Sequence, residues 1–158
     1  MKTKFFGFLL SALCVTSVHA ITVVEQDEKI AFVSLDKDDS KSLDANLKSF
    51  FSSDNAVVLF CTTPKGKNFP MDPTCHASVS LESTNSTLID KKENLLRASL
   101  SNHDSLNLYN SLQFPVSMNH FGSEKSFASS DGKFGLHCQK KNNSNTTDEA
   151  ECDLFVKL

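Results

Sequence analysis

Cysteine spacing is the clearest chemical signal in the chain. Cys61 and Cys75 lie 14 residues apart, as do Cys138 and Cys152. Thiols placed like this either ligate a soft metal or oxidise in pairs. Structural zinc sites use close pairs two to four residues apart, which are absent here, so two disulfides are expected and no metal site is assigned. The fifth cysteine, Cys14, sits in an apolar leader and is expected to leave with it.

The first cysteine pair encloses Thr62-Thr63-Pro64-Lys65-Gly66-Lys67-Asn68-Phe69-Pro70-Met71-Asp72-Pro73-Thr74. Three prolines restrict this backbone and a disulfide would join its ends. Lys65, Lys67, Phe69 and Met71 supply charge and apolar anchors, and a preorganised loop of this kind loses little entropy on docking. These four residues are the candidate binding site. The matching stretch in the second pair, 139–151, keeps Ala150 as its only apolar residue and reads as a solvated loop.

Other chemistry is weaker. In the expected hairpin register His137 faces Asp153, a pair that can orient an imidazole. The first copy has Phe60 and His76 at those places, so the pair reads as a cross-strand ion pair. No G-x-S-x-G nucleophile turn or phosphate-cradling glycine loop occurs, and no catalytic residue or cofactor is assigned. The acidic run at 36–40 lacks the glycine and distal glutamate of a calcium loop. Sequons at Asn85, Asn142 and Asn145 are no more than an Asn-, Ser- and Thr-rich chain produces by chance.

The elements that hold these residues repeat. A shift of 77 positions aligns 48–81 with 125–158 without a gap, with identities at Lys48/Lys125, Phe50/Phe127, Asp54/Asp131, Leu59/Leu136 and both cysteine pairs. Further upstream, 30–35 resembles 112–118. Within each copy Val57, Leu59 and Cys61, then Cys75, Ala77, Val79 and Leu81, alternate with the residues between them, the period of a strand with one apolar face. The cysteines would then oppose one another at the mouth of a hairpin, predicting Cys61–Cys75 and Cys138–Cys152 over crossed pairings. Asp54-Asn55 and Asp131-Gly132 read as turns. Leu43, Leu47, Phe50 and Phe51 predict one short helix near 42–51, capped by Ser40 or Ser42 and shortened or absent in the second copy. Leading strands are expected at 22–25 and 97–101. The fold expected is mainly β: two tandem repeats, about 21–81 and 97–158, joined by a linker at 82–96 that could hold a helical turn, and packed as a β-sandwich.

Lys2 and Lys4 precede an apolar run from Phe5 to Val18, and Val18-His19-Ala20 offers a cleavage site. Residues 1–20 therefore read as a secretory signal too short to span a bilayer, leaving a single domain from Ile21 with no integral membrane segment. Losing the two lysines takes the formal charge from −3 to −5, which argues against nucleic acid and anionic membranes. The leader and the Ser/Asn/Lys/Phe-rich remainder resemble small exported proteins of Gram-negative bacteria, in composition alone. The expected function is that of a non-catalytic binding protein, secreted or periplasmic, with a protein partner outside the cytoplasm. An effector or hydrolase inhibitor acting through the loop 62–74 is its specific form. A small hydrolase assembled only in three dimensions and a structural envelope component are the rival readings.

Overall fold

The computed structural model describes residues 21–64, 71–119, 122–141 and 149–158. The signal expected at 1–20 lies outside them. The first half runs β1 (Val23–Gln26), β2 (Ile30–Ser34), α1 (Lys37–Asn46), β3 (Ser49–Phe51), β4 (Val57–Thr62) and β5 (Thr74–Ser80). The second runs β6 (Thr87–Lys92), β7 (Leu95–Leu100), α2 (Asn102–Ser111), β8 (Ser117–Asn119), β9 (Gly122–Ala128), β10 (Phe134–Lys141) and β11 (Glu149–Lys157). The strands form two antiparallel sheets, ordered β1-β2-β5-β4-β3 and β6-β7-β11-β10-β9-β8. Inward residues of both sheets, among them Val33, Leu59, Ala77, Val79, Ala98, Leu136, Leu154 and Val156, merge into one core. The architecture is a β-sandwich of two similar halves, each carrying a helix.

Duplication extends further than the 77-residue shift reveals. Ala31 pairs with Val79, and Leu96 pairs with the equivalent Val156, so β2 corresponds to β7. The counterpart of 30–35 is thus 95–100, not 112–118. Upstream of the helix ends the offset is 65 residues, and it equates Thr22/Thr87, Ser34/Ser99, Asp39/Asp104, Ser40/Ser105, Leu43/Leu108 and Leu47/Leu112. Extra residues between α2 and β9, including β8, shift the register to 77. Residues 82–96 are consequently not a bare linker: β6 and the start of β7 occupy most of it and pair as a hairpin.

Helix positions also differ from expectation. Asp36 caps α1, its carboxylate accepting from the Asp38 and Asp39 N–H groups, and the helix ends at Asn46. Residues 49–51 pair instead with Val58–Phe60, because Phe50 gains burial on the inner face of a sheet. In the second half α2 is as long as α1, with Ser101 as its cap. Ser40 and Ser105 do equivalent work, each hydroxyl accepting from a cysteine N–H of the adjoining strand (Cys75 and Cys152, both 3.0 Å).

The halves hold each other reciprocally. Asp39 on α1 accepts from Ser130 N–H (2.9 Å), and Asp104 on α2 accepts from Ser53 N–H (3.0 Å). Ser53 and Ser130 belong to equivalent turns, in which Asn55 and Gly132 adopt the left-handed backbone at φ 56° and 67°. Within the turns Asp54 accepts from Ser52 Oγ and Ala56 N–H, while Asp131 accepts from Ser129 Oγ and Lys133 N–H. Each turn also reaches the start of the opposite half: Thr84 Oγ1 donates to Asp54 and Thr22 N–H to Asp131. The buried hydroxyls of Thr22 and Thr87 lie near these carboxylates without a hydrogen bond of normal length.

Burial raises the Asp54 carboxyl, but hydrogen bonds from Ser52, Thr84 and Ala56 outweigh it and hold the group well below the usual carboxylate range. A carboxyl lowered on folding stabilises above its unfolded pKa, and that stability is lost as pH falls towards the folded value. Urea midpoints at pH 7 and pH 2.5 should therefore differ less in Asp54→Asn than in the wild type. An unchanged pH dependence would remove Asp54 from the acid-sensitive set.

Candidate binding surface

Both predicted disulfides form, Cys61–Cys75 and Cys138–Cys152, each with paired Cα atoms 4.1 Å apart. Their cysteines are direct cross-strand partners, as the alternation requires. Beyond Cys61 and Cys75, Thr62 opposes Thr74 and their hydroxyls bond at 3.0 Å across the base of the first loop. Lys65, Lys67 and Phe69 lie outside the described residues. Met71 lies within them and is 52% exposed. Beside it, Asp72 bonds Lys37 (2.7 Å) and Lys41 (2.9 Å) of α1, and these hydrogen bonds lower its carboxyl below the usual range. Exposed pairs of this kind add little stability. Their effect is geometric: two ammonium groups one helical turn apart fix the returning arm of the loop against α1.

The strand face continuous with this loop base is unusual. Side chains pointing away from the core form two rows across the first sheet. The row nearest the loop is Val23, Ser34, His76, Phe60 and Ser49, and the next is Glu25, Phe32, Ser78, Val58 and Phe51. His76 stacks on Phe32 (5.3 Å) and lies tilted against Phe60 (5.2 Å). Its Nδ1 is 3.1 Å from Ser34 Oγ, a pairing that fixes the ring's orientation. No carboxylate among the described residues bonds the ring's other nitrogen, so the Ser34–His76 pair does not extend to the third member of a hydrolytic triad. At the end away from the loop the face runs into a groove of about 270 Å³ whose lining includes Ile30, Ala56 and Ser80 and the charged Lys29, Asp54 and Glu82.

Equivalent positions on the second sheet show the contrast. Arg97 replaces Phe32, His137 replaces Phe60, Asp153 replaces His76 and Gly135 replaces Val58. His137 does oppose Asp153 in register, but the carboxylate is taken by Arg97 (2.7 Å) and Ser99 (2.5 Å). Asp153 in turn raises the Arg97 guanidinium, which also lies over the Phe155 ring at 5.8 Å. Both faces cover the same core in the same chain, yet the second carries Asp90, Arg97 and Asp153 where the first carries Glu25 alone. Sequence reasoning missed this face. Its signal was present in β4, where Val57, Val58, Leu59 and Phe60 are apolar on both sides of the strand, a pattern of strands covered on both faces.

Among the described residues no group of three His, Cys, Asp or Glu side chains is placed to hold a metal ion, and no helix is long and apolar enough to cross a membrane. No protein-family model, curated protein or solved structure matches the chain.

Proposed function

We propose that this chain is a small non-catalytic binding protein, exported by a cleaved signal at 1–20 and working in the periplasm or the external medium. It engages a protein partner through the disulfide-closed loop 62–74, with Lys65, Lys67, Phe69 and Met71 as contacts. Inhibition of a hydrolase by insertion of one loop side chain, or action as an effector, is the specific form.

One observation carries this reading: Met71 is held outward on a loop whose ends are joined by Cys61–Cys75 and whose returning arm is fixed to α1 through Asp72. An apolar side chain on a restrained stem is stabilised by docking at small entropic cost. Two disulfides also suit an oxidising compartment.

Affinity capture with the purified protein, compared with Phe69→Ala/Met71→Ala, tests it. A partner retained by the wild type should be lost from the variant. Retention of every partner by the variant would refute the role of the loop, and turnover of a peptide, lipid or glycan panel would refute the non-catalytic reading.

A further inference from the structure

We infer that the outward face of the first sheet docks a second copy of this chain. The proposal does not rest on the loop 62–74 proposed above to bind a partner.

The second sheet serves as an internal control. Its first five strands follow the same order, with β8 added at one edge, and its two outward rows carry Asp90, Arg97, His137 and Asp153 beside the apolar Leu88 and Phe155. The corresponding rows of the first sheet carry Phe32, Phe51, Val58 and Phe60, with Glu25 as their one carboxylate. An apolar sheet face of this extent is stabilised by being covered.

The two rows match each other in size, which selects a second copy as the cover. A two-fold axis lying in the face, across the strands and between the rows, brings each row over the other. Phe32 then meets Ser34, His76 meets Ser78, Phe60 meets Val58, and Phe51 meets Ser49. On every one of these strands the larger side chain falls on the smaller. At the rim Glu25 falls on Val23, so the carboxylates of the two copies do not meet. A self-complementary patch of this kind is what an isologous interface requires.

Its size suits a modest dimer. Five strands about 4.8 Å apart span about 24 Å, and the rows with their flanks extend about 20 Å along the strands at about 3.4 Å per residue. Because β1 and β3 are only four and three residues long, the face covers roughly 400 Å² per copy, or about 800 Å² in total, the size of a weak, transient interface. Dissociation in the micromolar range is expected.

Sedimentation equilibrium of the oxidised protein from about 1 to 200 μM tests the proposal. The wild type should show a monomer–dimer equilibrium. Phe32→Ser/Phe60→Ser should weaken it at least tenfold, and so should Ser78→Lys, which leaves the face's aromatic side chains in place and adds a charge. Lys91→Ser, on the edge of the second sheet, should leave it unchanged. Phe69→Ala/Met71→Ala should dimerise as the wild type does, so failure of the loop reading and failure of this one are separable. A wild type monomeric at 200 μM, or a dimer equally tight in Ser78→Lys, would overturn the proposal.

Discussion

Removing either disulfide should cost about 3 kcal/mol of stability, the entropy of closing a loop of about 15 residues. For a domain of this size that corresponds to a fall of roughly 10 °C in Tm, measurable by calorimetry on Cys61→Ala/Cys75→Ala and Cys138→Ala/Cys152→Ala. The sequence separations are identical, so the two costs should be similar. Function should divide them. Loss of Cys61–Cys75 frees the loop that bears Met71, and partner binding should weaken at least tenfold. Loss of Cys138–Cys152 frees a polar loop, and binding by the protein that remains folded should be unchanged. Equal loss of binding in both variants would place the partner site elsewhere.

The second large effect concerns the contact between halves. Asp104 is 2% exposed, and its carboxylate accepts from Ser53 N–H (3.0 Å), Ser53 Oγ (2.9 Å) and Ser101 Oγ (3.2 Å). Hydrogen bonds to a charged acceptor contribute about 1.5–3 kcal/mol each, and not additively. Asp104→Ala should therefore destabilise by about 3 kcal/mol in urea titrations. Asp39→Ala should cost less, about 2 kcal/mol, since Ser130 Oγ also bonds Asp36 (3.1 Å) and keeps a partner. The order of the two effects is the test, because equal costs would mean that the two contacts do not differ in redundancy.

Much of the fold was legible in the sequence because its strongest signals are local. The alternation in 57–61 and 75–81 placed four strands and both disulfides, since a period of two leaves each cysteine one possible cross-strand partner. The helices were harder to read. Residues 102–111 are rich in Asn and Ser and bury chiefly Leu108 and Tyr109, so α2 owes its existence to the Ser101 cap and tertiary packing more than to propensity. The apparent helical period at 43–51 arose because Leu43 and Leu47 belong to α1 and its cap while Phe50 belongs to β3. β6 was hidden by Asp90, Lys91 and Lys92, charged residues suited to the edge strand it forms.

The candidate site was legible in part. Proline and cysteine marked the loop, and of its four candidate contacts Met71 alone lies within the described residues, where it is exposed. The Asp72 attachment joins residues more than 30 positions apart, and the outward aromatic face joins five strands. Neither could be read before the strand order was known.

Binding through the first loop is tested most directly by titrating the captured partner against purified variants in a calorimeter. Phe69→Ala/Met71→Ala should bind at least tenfold more weakly than the wild type, with an unchanged melting temperature. Equal affinity of the two proteins would contradict the loop's role.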